Sequence, residues 1–134
     1  MSWQAFFYVG IGGFFGANTR YFLSLVVTER FASVTGVALP YGTAFVNITG
    51  SMLLAMLTYW VAQRSGFVSD TAKLVVGTGF FGAYTTFSTY ANESINLIRG
   101  DNVLLGWTYV IGTNLLCLLG VVLGLWFANR LWAV

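Results

Sequence analysis

The sequence predicts an all-α integral membrane protein with four transmembrane helices in a single domain over residues 1–134. Composition is the first reason: 57% of the 134 residues are hydrophobic and 7% are charged, whereas soluble domains carry about 25% charged residues. The second reason is that four apolar segments, at about 4–27, 42–63, 72–98 and 103–129, each have the length of roughly 20 residues that a spanning helix needs. The joining stretches are short, so no soluble catalytic domain is expected.

Composition also excludes several classes of function. The six basic residues are scattered, so no nucleic-acid-binding face is expected. Histidine is absent and no nucleophile has a plausible base beside it, so the sequence predicts that the protein is not an enzyme. The single cysteine, Cys117, allows neither an internal disulfide nor a cysteine metal cluster, and is expected to be a small buried hydrophobe.

The first segment is expected to remain as a helix, because it begins without a basic region and is too long for a signal peptide. Arg20 is the only basic residue well inside an apolar segment. A charge at that depth costs about 2–3 kcal/mol on insertion scales, so it usually has a partner or a function. Structural anchoring at the membrane surface, about two helical turns away, is favoured over ion binding.

The second and fourth segments carry polar groups along apolar helices. Pro40 can open the second segment. Further on, Asn47 offers two amide donors that can solvate an anion without adding charge, although an interhelical hydrogen bond is the alternative. In the fourth segment Tyr109 and Thr113 are four residues apart and share one helix face, with Asn114 adjacent.

The stretch 79–90 in the third segment predicts a broken helix at an ion site. It contains two glycines a turn apart, then four threonine or serine side chains between aromatic rings, and no charge until Glu93. Lipid supplies no hydrogen bonds, so such groups must face protein or a water-filled cavity. Hydroxyl donors beside electropositive ring edges favour a path for anions, while carbonyls bared at a break near Gly82 can hold one fixed cation.

The distribution of charge predicts an antiparallel homodimer. Orientation in a membrane normally follows an excess of Lys and Arg in the cytoplasmic loops. Here the two sides nearly balance, with Arg64, Lys73 and Arg130 on the side of the N terminus and Arg30 and Arg99 on the other. A chain without a clear bias can insert both ways, and opposite copies can then pair.

Small residues four positions apart predict close approach of helix backbones. The pairs are Gly12 with Gly16, Gly13 with Ala17, and Gly120 with Gly124. Packing within one chain and packing between subunits are both open for these pairs.

Taken together, these motifs resemble the bacterial fluoride channels known as Fluc or CrcB. The strongest part is the glycine pair followed by Thr85-Thr86-Phe87-Ser88-Thr89-Tyr90, with Glu93 beyond it. Weaker motifs are the run 12–21 in the first segment and Gly42-Thr43, Asn47 and Gly50 in the second. The fourth segment matches by pattern only.

The resemblance implies a dual-topology, antiparallel homodimer in the inner (plasma) membrane, with two pores for passive fluoride export that both subunits line. The partners implied are fluoride, the lipid bilayer and a second copy of the chain. One structural sodium ion at the dimer centre would be held by the backbone carbonyls of Gly82 and Thr85 from both subunits. The pore residues implied are Asn47, Phe87, Ser88, Thr89, Tyr90, Tyr109 and Thr113.

Two positions depart from the family pattern. Tyr90 stands where phenylalanine is usual, so its hydroxyl would either donate to fluoride or narrow the pore. Cys117 stands where a hydroxyl residue is common, and as a weaker donor it is left out of the site.

Two other functions compete with a channel. A proton-coupled exporter like the small multidrug transporters is also short and four-helical, but it needs a titrating group inside the membrane. Only Glu93 is available for that role. A structural subunit without transport of its own would leave liposomes impermeable.

Overall fold

The computed structural model describes residues 2–63 and 68–132, and all regular structure in this part of the chain is helical, as predicted. The long helices are α1 (Trp3–Thr35), α2 (Tyr41–Gln63) and α5 (Val103–Trp132). The third apolar segment forms two shorter helices, α3 over 70–84 and α4 over Phe87–Arg99. Helix α5 packs along α2, while α1 packs on α3 and α2.

Helix α1 ends at Thr35, well beyond the predicted end near residue 27. Nothing stops the helix before Gly36, which has a φ of 67° and donates its N–H to the Ala32 carbonyl at 3.0 Å. Glycine is the residue that adopts a positive φ without strain, so it ends the helix here. The 33 residues of α1 make a helix of about 50 Å, longer than a hydrocarbon core of about 30 Å.

Local signals also start α2 and α5. Pro40 precedes α2, as predicted, and its carbonyl accepts a hydrogen bond from the Ala44 N–H at 3.2 Å. Asn102 precedes α5, and its Oδ1 accepts from the Leu105 N–H at 3.0 Å, which caps that helix. Arg64, one of the charges used to predict orientation, lies outside the described residues.

The third segment is broken near its middle, as predicted, but the break lies at Thr85 and Thr86 and not at Gly82. Gly82 is helical (φ −63°, ψ −31°), whereas Thr85 (−86°, 158°) and Thr86 (−150°, 113°) are extended. The hydroxyl of Thr85 donates to the Phe81 carbonyl at 3.0 Å, and that of Thr86 accepts from the Thr89 N–H at 3.3 Å. Side-chain hydrogen bonds to the main chain therefore decide where one helix ends and the next begins.

Helices α1 and α3 approach each other at their main chains. Over Lys73–Phe81, α3 is a π-helix, a wider coil than an α-helix. A Cβ added to Gly12 would meet the Val75 carbonyl oxygen, and one added to Gly16 would meet the Phe80 carbonyl oxygen. Packing within the chain, one of the two alternatives for this pair, is thus what the structure shows.

The glycines of α5 pack on α2 in the same way. A Cβ added to Gly120 would lie 3.1 Å from the Ile48 carbonyl oxygen, and one added to Gly124 would meet the Met52 carbonyl oxygen. Gly13 differs, because among the described residues no atom outside its own helix backbone lies within 4 Å of an added Cβ.

Apolar side chains dominate the outer surface of the helices. Leu118 is 64% exposed, Val122 61% and Leu104 77%, while the fully buried core is small and centres on Val46 with Phe81 and Tyr84. Within the described residues, α2 and α5 have the length and mean hydropathy (1.5 and 2.2) of membrane spans. Neither piece of the broken third segment is long enough alone, so the count of four spans stays a prediction.

Candidate functional site

Asn47 of α2 holds the break in the third segment. Its Oδ1 accepts from the Thr86 N–H at 2.7 Å, and its Nδ2 donates to the Thr86 carbonyl at 3.0 Å. The break removes Thr86 from the helical hydrogen-bond ladder, and because Thr86 is buried, its main-chain groups need partners within the protein. The interhelical hydrogen bond considered for Asn47 is therefore present. It uses one N–H of the Asn47 amide and leaves the second N–H for another acceptor.

We call the two hydrogen bonds between Asn47 and Thr86 the Asn47 clamp. A cleft of about 270 Å³ opens beside this clamp. It brings together four of the predicted pore residues and one predicted sodium ligand, Thr85. Sequence reasoning missed Ser51, Asn114 and Thr86 and set Cys117 aside, although Ser51 and Cys117 follow Asn47 and Thr113 by one helical turn. The complete lining is Asn47, Gly50, Ser51, Leu54, Thr85, Thr86, Phe87, Tyr90, Thr113, Asn114 and Cys117.

Phe87 and Tyr90 form an aromatic pair at the start of α4. Their ring centroids are 5.9 Å apart with the planes at 53°. Phe87 borders the cleft but is 79% exposed, whereas Tyr90 is 7% exposed. The Tyr90 hydroxyl donates to the Val110 carbonyl at 3.0 Å and contacts the Asn114 amide nitrogen. Its hydroxyl is therefore bonded to α5.

A second cleft, of about 360 Å³, lies on the other side of the extended pair. Thr86 lines both clefts, so the break forms the wall between them. Thr89 faces this second cleft, and its Oγ1 accepts from Thr86 Oγ1 at 2.9 Å. Ser88 lines neither cleft and is exposed, with its hydroxyl 3.5 Å from that of Thr86.

Tyr109 also lies apart from the first cleft. It is buried, its ring is 5.6 Å from that of Tyr90, and its hydroxyl donates to Glu93 Oε2 at 3.2 Å. The other carboxylate oxygen of Glu93 accepts from Thr43 Oγ1 at 2.9 Å. Glu93 thus lines the second cleft with both oxygens hydrogen-bonded.

Arg20 lines the second cleft as well and contacts the break. Its Nη1 lies 3.4 Å from the Thr85 carbonyl oxygen. This main-chain contact, 65 positions away in the sequence, differs from the anchoring at the membrane surface that the sequence favoured, and that anchoring stays a prediction. Among the described residues the one ion pair is Lys73 with Asp70, at 2.8 Å.

The carbonyls of Gly82 and Thr85 suit a hard cation. The Thr86 N–H, which in a continuous helix would bond the Gly82 carbonyl, donates instead to Asn47. Thr85 is extended, so its carbonyl leaves the helical ladder. Carbonyl oxygens freed at a helix break are frequent sodium ligands, and a carbonyl with two lone pairs can accept from Arg20 and bind a cation as well. One chain supplies two such ligands.

Comparison with known proteins gives a consistent result. Residues 7–125 match the family model described as "CrcB-like protein, Camphor Resistance (CrcB)". A curated protein of Koribacter versatilis is 41% identical over 122 residues, covering 90% of this chain and 92% of that protein. One of Trichormus variabilis is 36% identical over 117 residues (87% and 82%), and one of Hyphomonas neptunium is 34% identical over 130 residues (97% and 99%). All three are named "Fluoride-specific ion channel FluC".

Proposed function

The chain belongs to the CrcB family, and from that membership we propose that it is a passive, fluoride-selective channel that lowers fluoride in the cytoplasm. The observation that carries the proposal is the cleft beside the Asn47 clamp, which lies within the part of the chain that matches the family. The curated relatives are ion channels, so the prediction that the protein is not an enzyme is confirmed.

The cleft offers neutral donors for a small anion. Fluoride is strongly hydrated, so a pore must replace its water with donors that bind weakly enough for release. The remaining N–H of Asn47, the hydroxyl of Thr113 and the ring edges of Phe87 and Tyr90 all border the same space. None of these groups carries a full charge that would trap the ion. Ser88, Thr89 and Tyr109 lie outside this cleft. They would contact the ion before it enters the cleft or after it leaves.

The pore would be completed by a second copy in the opposite orientation. Phe87 borders the cleft but is 79% exposed in one chain, so a second copy packed on this side would enclose its ring. The near balance of basic residues on the two sides supports insertion in both orientations. We therefore favour four spans per chain, an antiparallel homodimer with two pores, and a location in the inner membrane.

The Gly82 and Thr85 carbonyls of both chains would hold one sodium ion at the dimer centre. A fixed cation there supplies positive potential for anions without moving with them. Asn47 supports this arrangement because it withdraws the Thr86 N–H from the Gly82 carbonyl. Arg20 adds a further positive charge at the Thr85 carbonyl.

Passive export suits the chemistry of fluoride toxicity. Hydrogen fluoride crosses membranes as a neutral molecule and dissociates in the less acidic cytoplasm. A selective conductance then lets the trapped anion leave down its electrochemical gradient.

The proposal is tested with purified protein in liposomes loaded with potassium fluoride. Valinomycin balances the charge, and a fluoride electrode follows release beside a matched potassium chloride experiment. We expect fluoride release that depends on valinomycin, with no chloride release. No release of either ion would overturn the channel function and favour a structural subunit.

A proton-coupled exporter is the second candidate because Glu93 is a carboxylate that lines a cleft inside the helical bundle. Coupled export needs a group that binds and releases protons. In Glu93→Gln the amide is nearly isosteric and both hydroxyl partners can still bond to it. A channel should keep its fluoride release within about threefold in this variant, because its hydrogen bonds survive.

The exporter predicts the opposite behaviour in the same assay. Glu93→Gln would then abolish transport, and the unaltered chain would release fluoride only when a pH difference drives it. Equal release by the unaltered chain with and without a pH difference, together with a conducting variant, would remove the exporter from consideration.

A further inference from the structure

Two hydrogen bonds join Tyr90 to α5 next to the cleft, and a third, within α5, joins the same partners. The Tyr90 hydroxyl donates to the Val110 carbonyl at 3.0 Å. The Asn114 amide nitrogen donates to the same carbonyl at 2.8 Å and contacts the Tyr90 hydroxyl. We call this set of Tyr90, Asn114 and the Val110 carbonyl the hydroxyl–amide lock.

The chemistry of the partners leaves one assignment of donors and acceptors. A main-chain carbonyl can only accept, so the Asn114 atom beside it must be the NH₂ group, and the Tyr90 O–H must point at the carbonyl. The Tyr90 oxygen then has only lone pairs left, which accept from the second N–H of Asn114. Both amide hydrogens and the tyrosine hydrogen are thereby used within the lock.

We propose that Asn114 is a positioning residue for fluoride passage, acting through Tyr90: it retains the tyrosine hydroxyl on α5 so that only the ring edge faces the ion. The inference rests on the proposed channel function and deepens it. Its basis is that both residues line the cleft while both donate to the Val110 carbonyl of α5.

The lock has a physical purpose at this position. The Tyr90 ring also contacts the rings of Phe87 at 5.9 Å and Tyr109 at 5.6 Å, so a rotation of Tyr90 would disturb the aromatic pair of the cleft. An O–H group is a stronger donor to an anion than a ring edge, and conduction requires binding that is weak enough for the ion to leave. A hydroxyl released into the cleft would hold fluoride and slow its passage.

The test is a set of four proteins in the fluoride-release assay: the unaltered chain, Asn114→Leu, Tyr90→Phe and the double variant. We expect Asn114→Leu to slow release at least about tenfold, because the Tyr90 hydroxyl then keeps a single bond to α5, to the Val110 carbonyl, and can exchange that bond for the ion. Tyr90→Phe keeps the aromatic ring and removes only the hydroxyl, so it supplies the reference rate for the double variant. The double variant should regain most of the rate, because phenylalanine has no hydroxyl to release.

A matched control exists on the same helix. The Tyr59 hydroxyl donates to Asn129 Oδ1 far from the cleft, so Asn129→Leu removes a similar tyrosine–asparagine bond and should leave release unchanged. Equal slowing by Asn114→Leu with and without the Tyr90→Phe change would overturn the inference and leave the channel function standing. If the unaltered chain released no fluoride, that result would overturn the proposed function itself, and the inference with it.

Discussion

Replacing Asn47 with leucine should reduce fluoride release at least about 100-fold, because the change removes a proposed pore donor and both hydrogen bonds that hold the helix break. The Thr86 N–H and carbonyl would both lose their partners, at 2.7 and 3.0 Å, while Thr86 stays buried. Each buried unsatisfied group costs about 1–3 kcal/mol. The extended pair would then rearrange, and the freed carbonyls of the proposed sodium site would move with it.

Two further variants separate the roles of the Asn47 amide. Asn47→Asp keeps an oxygen acceptor for the Thr86 N–H but loses the donor and places a negative charge in the cleft, so it should fold better than Asn47→Leu and still fail to conduct. Thr58→Ala is the control on the same helix and should release fluoride like the unaltered chain. The Thr58 hydroxyl donates to the Ala55 carbonyl of its own helix.

Release is measured in liposomes, and folding by size-exclusion profile and thermal midpoint in detergent. Fluoride release by Asn47→Leu at the unaltered rate would show that neither the break nor the ion depends on the amide.

Adding one methyl group at Gly12 should prevent α1 from docking on α3. A Cβ there would meet the Val75 carbonyl oxygen and lie 2.8 Å from the Phe80 main-chain nitrogen. Both obstacles are backbone atoms, which cannot rotate away as a side chain can. Overpacking costs about 1–3 kcal/mol where side chains can adjust, and the cost should exceed that range here. We expect Gly12→Ala to yield little folded protein.

Gly10→Ala is the matched control for this change. Gly10 lies in the same helix, and among the described residues no atom outside its own helix backbone lies within 4 Å of an added Cβ. Both substitutions gain about 1 kcal/mol of helix propensity, since alanine replaces glycine in a helix interior. Gly10→Ala should therefore fold as well as the unaltered chain or better, by thermal midpoint and monodisperse elution. Equal stability of the two variants would show that the contact between α1 and α3 is looser than the structure indicates.

Local chemistry allowed much of the fold to be predicted from the sequence. The apolar segments, the proline before α2 and the break between the glycine pair and α4 all depend on residues close together in the chain. The error in placing the break, three residues too early, has a local origin as well. Glycine permits a helix to end, but the hydroxyls of Thr85 and Thr86 bond the main chain and decide where it ends.

The sequence also placed the end of α1 too early. The polar residues after position 27 suggested a loop, yet polar side chains are compatible with a helix once it leaves the hydrocarbon. The helix ends at Gly36, which has a positive φ.

By itself the sequence determined that the protein lies in a membrane, that it is helical and that its third segment is interrupted, because composition and short-range hydrogen bonding decide these properties. The tertiary structure alone decided which groups face each other. Asn47 meets Thr86 across 39 positions and Thr43 meets Glu93 across 50, and such pairs depend on how each helix is rotated against its neighbours. For the same reason the cleft includes Asn114 and Cys117, and the hydroxyl of Tyr90 donates to the Val110 carbonyl of α5.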